Sequence, residues 1–156
     1  MTDHNGTPSD DYIGAYGSYG EDVSVAAGAG NDMIDVGTSG GGNATVDGGD
    51  GDDSINAYGE AEGVYTYDPD TGYGNFTFTG GDVSITGGAG NDTIYAQSYG
   101  GNVTVDAGDG DDQINMGGTN ATVAGGAGRD VFSFNLSIYG TSNVITDFDT
   151  GASGDT

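Results

Sequence analysis

Short apolar stretches recur along the chain, and within each stretch apolar and polar residues alternate. One set follows an Asp or Asn, as in Asp22-Val-Ser-Val and Asn102-Val-Thr-Val. A period of two is typical of β-strands whose alternate side chains face a core. The pattern therefore predicts an all-β chain of short strands. The residues expected to form one inward column are Ile13, Ile34, Ile55, Phe76, Ile94, Ile114 and Phe132.

Two markers share one period. An Asp marker occurs at Asp32, Asp53, Asp92, Asp112 and Asp130, and an Asn/Asp marker at Asp22, Asn43, Asp82, Asn102 and Asn120. Both are spaced by 21, 39, 20 and 18 residues. A shared period of this length indicates a solenoid. We expect a right-handed parallel β-roll of about seven coils of 18–21 residues, with two short strands per coil. The interval of 39 is interpreted as two coils, one of them degenerate.

The coils extend along the whole chain, so residues 1–156 are predicted to form a single domain. Residues 1–20 are expected to be a degenerate first coil, since Asp11 precedes Asp32 by 21 positions. Residues 60–80 are expected to be a second degenerate coil with an aromatic loop, where Asp68 and Asp70 are candidate oxygen donors. Residues 140–156 are expected to be a closing segment that lacks its last apolar strand.

Five segments fit the nonapeptide small-Gly-x-Gly-x-Asp-x-apolar-x. They are AGAGNDMID (27–35), GGDGDDSIN (48–56), GGAGNDTIY (87–95), AGDGDDQIN (107–115) and GGAGRDVFS (125–133). They resemble the calcium-binding repeat of the RTX family. The resemblance implies a secreted parallel β-roll that binds about three to five Ca²⁺ ions. The implied metal-site residues are Asp11, Asp32, Asp53, Asp92, Asp112, Asp130, Gly28, Gly30, Gly49, Gly51, Gly88, Gly90, Gly108, Gly110, Gly126 and Gly128.

The spacing suits the chemistry of calcium, which takes about six to eight oxygen ligands. Glycines let a turn adopt positive φ so that its carbonyls converge, and the Asp adds a carboxylate. One turn supplies part of a shell, so each ion is expected between stacked turns. The Asp residues could instead cap their turns. The expected pairs are Asp11 with Asp32, Asp32 with Asp53, Asp92 with Asp112, and Asp112 with Asp130. The neighbouring acids expected to raise the negative potential without ligating are Asp50, Asp52, Asp109 and Asp111.

The charge supports a cation requirement. The chain has 25 acidic residues against one Lys or Arg, giving a formal charge of −24, and 34 of its 156 residues are Gly. Such a charge argues against nucleic acid as a partner. The absence of Cys excludes disulfides and thiolate metal sites. No apolar run approaches the roughly 20 residues of a membrane span.

A second column of polar residues lies half a coil from the Asp column. It contains the Asn-x-Ser/Thr sequons of Asn43, Asn102 and Asn120, which are candidate glycosylation sites in an extracellular protein. The other interpretation is a hydrogen-bonded Asn ladder followed by an outward Thr ladder. Asp22 and Asp82 occupy the same column without a sequon, which favours the ladder.

The sequence offers no catalytic set. His4 is the single His, and there is neither a zinc-protease motif nor a Ser/His/Asp combination. We expect no enzyme activity but a secreted or cell-surface structural module, which assembles head to tail with itself into a fibre, surface layer or adhesin.

Two alternatives remain open. One is a non-catalytic module that binds surface polysaccharide, and the other is a secretion and folding appendage of a larger enzyme or toxin. The tyrosines expected to be exposed for sugar stacking are Tyr12, Tyr16, Tyr19, Tyr58, Tyr95 and Tyr99.

Overall fold

The computed structural model describes residues 1–67, 74–135, 142–150 and 154–156. These residues form β-strands and connecting turns, and no helix occurs among them. The strands are β1 Thr2–Asn5, β2 Tyr12–Tyr16, β3 Val23–Ala29, β4 Met33–Thr38, β5 Ala44–Asp50, β6 Ser54–Gly59, β7 Glu62–Tyr67, β8 Gly74–Thr79, β9 Val83–Ala89, β10 Thr93–Asp109, β11 Gln113–Ala127, β12 Val131–Asn135 and β13 Ser142–Ile145.

The strands stack in parallel on two sides of a β-solenoid. One side runs β1, β3, β5, β9, the second half of β10, the second half of β11 and β13. The other side runs β2, β4, β6, the first half of β10, the first half of β11 and β12. Six strands lie on this second side, so the solenoid has about six turns. The predicted all-β parallel architecture is confirmed.

The core is a thin double column between the two sides. Ile34, Ile55, Ile94 and Ile114 are buried in the column predicted from the sequence, and Ile13 is half-buried at its start. Facing them are the alternate residues of the opposite strands. Those buried side chains are Val23, Val25, Ala44, Val46, Val83, Ile85, Val103, Val105, Ala121 and Val123. The period-two alternation therefore assigns the inward and outward faces correctly.

The segment over 60–80 is where the sequence-based prediction was wrong. Strand β5 pairs directly with β9, and β6 pairs directly with β10, so no coil lies between them. Strands β7 and β8 instead form an antiparallel hairpin with its own two-stranded sheet. Phe76 lies opposite Tyr65 in that hairpin, and Ile55 pairs with Ile94 without it. Asp68 and Asp70 lie outside the described residues.

The first coil and the closing segment both contact the solenoid. Strand β1 pairs with β3 and places His4 beside Val25, so His4 belongs to an ordered strand. Strand β13 pairs with β11. The N–H of Phe132 donates to the carbonyl of Thr156, and the N–H of Thr156 donates to the carbonyl of Asp130, each at 2.8 Å. Residues 154–156 therefore lie along the edge of β12.

No helix able to cross a lipid bilayer occurs among the residues that the structure describes.

Candidate metal centre

The Asp marker residues stack at one corner of the solenoid, each one coil from the next. Five of them are almost completely enclosed, with at most 3% of their surface exposed: Asp32, Asp53, Asp92, Asp112 and Asp130. Acidic side chains are rarely buried to this extent without a partner. The burial of five acidic side chains at this corner therefore requires a chemical explanation.

Hydrogen bonds join these residues into a continuous ladder. The backbone N–H of each Asp donates to Oδ1 of the Asp one coil later, at distances between 2.8 and 3.0 Å. The ladder runs through Asp11, Asp32, Asp53, Asp92, Asp112, Asp130 and Asp155. It includes two links that the sequence did not predict. These are Asp53 with Asp92, across the hairpin, and Asp130 with Asp155, in the closing segment.

The second carboxylate oxygen of each buried Asp has no hydrogen-bond partner. This holds for Oδ2 of Asp32, Asp53, Asp92, Asp112 and Asp130, among the residues that the structure describes. An acceptor buried without a donor costs about 1–3 kcal/mol, and more when it is charged. The same buried oxygen therefore lacks a donor in five successive turns of the described column.

Asp11 differs from the five buried residues. Its Oδ2 accepts hydrogen bonds from the backbone N–H and the hydroxyl of Thr7, at 2.5 and 2.8 Å. Its turn also carries Thr7 and Ser9 where later turns carry glycine. The first coil therefore has its carboxylate already engaged, which makes it the weakest candidate site.

The paired glycines of each turn adopt the conformation that the sequence predicted. All ten have φ between 94° and 147°, a region that other residues rarely enter. They also allow a close approach between coils. A Cβ added to Gly90 would overlap the carbonyl oxygen of Gly51, and one added to Gly110 would overlap that of Gly90. The carbonyl oxygens of Gly51 and Gly90 therefore lie directly against the next turn of the stack.

These donors suit a hard cation bound mainly by oxygen. No three His, Cys, Asp or Glu side chains converge on one point within the described ranges. A metal at this corner would accordingly combine carboxylate Oδ2 atoms with backbone carbonyls from two stacked turns. Such a set matches Ca²⁺, which takes carboxylates and carbonyls in flexible geometry. It does not match Zn²⁺, which prefers nitrogen and sulfur ligands in a tetrahedron.

Burial opposes ionisation of the same carboxyl groups. Desolvation raises the pKa of Asp92 to about 7 and that of Asp112 to about 6. The pKa values of Asp53 and Asp130 are raised for the same reason. Neighbouring carboxylates in the column raise all four pKa values further, while the N–H bonds to Oδ1 act in the opposite direction. A bound cation would reverse this balance and favour the charged form.

A second ladder runs on the exposed side of the turns. It contains Asp10, Asn31, Asp52, Asn91, Asp111 and Arg129, and each backbone N–H donates to the side chain one coil earlier, at 2.7–3.0 Å. Asp and Asn alternate, so no two carboxylates are direct neighbours. This alternation of Asp and Asn is visible in the sequence, but the sequence-based prediction of the site did not use it. Asp50 and Asp109 are likewise exposed.

The opposite corner carries a third ladder. The N–H of Asn43 donates to Asp22, that of Asp82 to Asn43, and that of Asn102 to Asp82, at 2.7–2.9 Å. The side-chain amide of Asn120 donates to Asn102 at 3.4 Å. These contacts support the ladder interpretation of the column. Glycosylation at Asn43, Asn102 and Asn120 stays a prediction.

The closing segment adds an element that the sequence did not reveal. Both carboxylate oxygens of Asp147 accept backbone N–H groups, from Gly125 at 3.0 Å and from Gly126 at 2.8 Å. Asp155 completes the ladder beside Asp130 without a nonapeptide motif around it.

Comparison with protein-family models, with curated proteins and with solved structures finds no match to this chain.

Proposed function

We propose that the protein is a calcium-binding β-roll of the RTX type, secreted or held at a cell surface, which Ca²⁺ folds and stiffens into a structural module. The observation that carries the proposal is the column of five buried Asp residues whose Oδ2 atoms have no hydrogen-bond partner. In this account the carboxylates serve as metal ligands, and the protein has no catalytic activity.

Electrostatics explains why a cation is needed. Two carboxylates roughly 5 Å apart repel by about 3 kcal/mol at an effective dielectric constant of about 20. The column stacks several such groups one coil apart, with a strand spacing of about 4.8 Å. Ions placed between successive turns cancel this repulsion. Folding and calcium binding are therefore linked, and the metal-free chain at neutral pH and low salt is expanded by its own charge.

The number of ions follows from the intervals between turns. The six Asp residues of the predicted set define five intervals, of which the first is weakened by the Thr7 contacts of Asp11. The expected stoichiometry is three to five Ca²⁺ ions. Each turn offers one carboxylate, and sites with few charged ligands bind calcium in the range of extracellular modules, with Kd of about 10⁻⁴ to 10⁻³ M. This affinity suits a protein that folds outside the cell.

The structural role includes association with further copies. Strands β1 and β2 each pair with one described neighbour, β3 and β4. A strand from another copy, or from further chain, can pair on their second side. Head-to-tail contacts of this kind generate filaments. Light scattering of the purified protein in calcium tests this part, and a monomer at millimolar protein concentration would exclude it.

A far-UV circular dichroism titration tests the linked folding. In EDTA at pH 7.5 and low ionic strength, the chain is expected to lack β signal. Addition of Ca²⁺ to about 10 mM restores the signal, while Mg²⁺ does so weakly because it demands near-octahedral geometry and keeps its waters. Sodium chloride at matched ionic strength is the control for screening. A full β signal in EDTA would falsify the proposal.

A further inference from the structure

The outer face of β2, β4, β6, the first halves of β10 and β11, and β12 carries few charges. Each strand contributes three outward positions, and together they hold one charged residue, Asp35. Its carboxylate accepts hydrogen bonds from the hydroxyl of Tyr16 at 2.5 Å and from the amide of Asn56 at 3.0 Å. In a chain of net charge −24, this face therefore carries a single charge, and that charge is hydrogen-bonded. We call this surface the tyrosine–amide face.

A groove of about 280 Å³ lies on this face. It is lined mainly by Asn56, Tyr58, Tyr95, Gln97, Asn115 and Asn135. Two smaller depressions adjoin it, one continuing it along the solenoid axis and the other lying beside it on β10, β11 and β12. One shares Tyr58 with the groove and reaches Tyr16, and the other shares Tyr95 and Asn115 and reaches Val131. The three together cross six strands, a length of about 24 Å at 4.8 Å per strand.

Two side chains that lean in opposite directions open the groove. Tyr58 and Gln97 are direct neighbours in the register of β6 and β10. The Tyr58 ring lies over Gly37 of β4, where an added Cβ would come within 2.6 Å of it. The Gln97 side chain lies over Gly117 of β11, at 3.4 Å from the Cβ position. Both glycines leave room for this, so the space between Tyr58 and Gln97 stays open. It also explains why Tyr58 is half-buried rather than exposed as predicted.

The chemistry of the groove selects its occupant. Amide side chains both donate and accept hydrogen bonds, which is what a row of hydroxyl groups requires. Tyr95 is 54% exposed and offers an aromatic surface beside the amides. Among the described residues, none that lines the groove is charged, although Glu60 lines the depression beside Tyr16. The net negative charge of the molecule repels anionic chains.

We propose that the tyrosine–amide face binds a neutral, hydroxyl-rich polysaccharide chain laid along the solenoid axis. Pyranose rings lie against Tyr95 and Tyr58, and their hydroxyls bond with Gln97 and Asn115. The acidic corner takes no direct part, so this binding is separate from the calcium sites and needs only the folded solenoid.

Affinity gel electrophoresis in saturating Ca²⁺ tests the proposal. The gels contain dextran, galactomannan or mixed-linkage β-glucan as neutral chains, and alginate as the anionic one. We expect retardation by at least one neutral polysaccharide and none by alginate. Retardation by alginate alone, or by no neutral polysaccharide, would overturn the proposal. Circular dichroism of the same samples shows whether the solenoid is folded, which separates this outcome from a failure of the calcium account.

Matched variants locate the site. Tyr95→Ala and Asn115→Asp change the groove, and both point outward, so the core is untouched. Each is expected to raise Kd for the retarding polysaccharide by about tenfold or more. Thr104→Ala, outward on the opposite side, is the control and should leave Kd unchanged. Equal Kd values for the native protein and both groove variants would contradict the assignment.

Discussion

The backbone N–H of Asp53 donates a 2.9 Å hydrogen bond to Oδ1 of Asp92, although the two residues are 39 positions apart. The equivalent atoms of Asp32 and Asp53, which are 21 positions apart, are joined at 2.8 Å. The intervening chain leaves the solenoid as the β7–β8 hairpin and returns to the same level. The hydrogen-bonded ladder is therefore continuous from Asp11 to Asp155, and it is unbroken at the interval of 39 residues between Asp53 and Asp92.

Removal of the hairpin should leave the solenoid in place. Deletion of residues 61–78 joins Glu60 to Thr79 and gives a coil of 21 residues, the length between Asp32 and Asp53. Because β5 already pairs with β9, and β6 with β10, no strand pairing of the described stack is lost, although the contact of the Tyr19 hydroxyl with Glu62 is removed. We expect the same calcium stoichiometry by isothermal titration calorimetry and a Tm in calcium within a few degrees of the native value. A loss of two or more ions would show that the segment is part of the stack.

Neutralising one buried Asp should change stability in opposite directions with and without calcium. Asp92→Asn keeps an Oδ1 acceptor for Asp53 and removes a buried charge. In EDTA at about pH 5, where protonation stabilises the metal-free solenoid, the variant is expected to be more stable than the native protein, because desolvation no longer opposes a charge there. In calcium it should be less stable, since the intervals on both sides lose a ligand. Each ion lost removes about 3 kcal/mol at a calcium concentration of about 100 Kd.

Asp111→Asn is the matched control for Asp92→Asn. Asp111 belongs to the exposed ladder, where its Oδ1 accepts the N–H of Arg129, and Asn keeps that acceptor. Chemical denaturation in EDTA at about pH 5 and in calcium at pH 7.5 should give nearly native values for this variant. If both variants lose calcium affinity equally, general charge rather than the buried Oδ2 determines binding.

The pH dependence of stability should also invert with calcium. In the metal-free protein the pKa of Asp92 is raised to about 7 and that of Asp112 to about 6, above the unfolded value near 4. The folded state therefore binds protons more tightly than the unfolded state, and metal-free stability is highest near pH 4 and falls as pH rises through about 7. In calcium the ions replace the protons, so stability rises over the same range. Tm measured from pH 4 to 8 in EDTA and in calcium checks both slopes, and parallel curves would contradict the account.

The glycines of the turns should resist substitution. Gly90→Ala places a side chain at φ 129° and against the carbonyl oxygen of Gly51. Strain of this kind costs about 1–3 kcal/mol, and the overlap forces adjacent coils apart. We expect a lower Tm and weaker calcium binding by calorimetry. Gly117→Ala is the control, because its added Cβ meets Gln97 at an ordinary 3.4 Å. Equal Tm values for the two variants would remove the close-approach argument.

Much of the fold could be predicted because every coil of a solenoid repeats the same short pattern of turn and strand residues. Ile34 and Ile94 face inward for the same reason, an alternation of period two after a fixed turn. The hairpin could not be recognised from the period alone, since an insertion of 18 residues has nearly the length of a coil. Phe76 follows Ile55 by 21 positions, so it matched the expected inward column only because the insertion is about as long as a coil. The strand pairing shows instead that Phe76 lies opposite Tyr65 in the hairpin.

The candidate site was predictable only in part. The Asp residues and glycines could be read from the motif, because that chemistry is local to each turn. The link between Asp53 and Asp92 could not be predicted because it depends on where the inserted hairpin leaves and rejoins the solenoid. Asp155 could not be predicted because the segment around it lacks the nonapeptide motif. The groove beside Tyr58 depends on how two side chains lean over Gly37 and Gly117, which no linear pattern encodes.

The most direct test of the central claim is a crystal structure of the protein grown in millimolar calcium. We predict calcium ions between successive turns of the acidic column, each about 2.3–2.6 Å from a buried Asp Oδ2 and from backbone carbonyls of two coils. One of these ions should lie between Asp53 and Asp92. The same wound solenoid with no ion at this corner, and with Oδ2 of Asp92 still without a partner, would contradict the account.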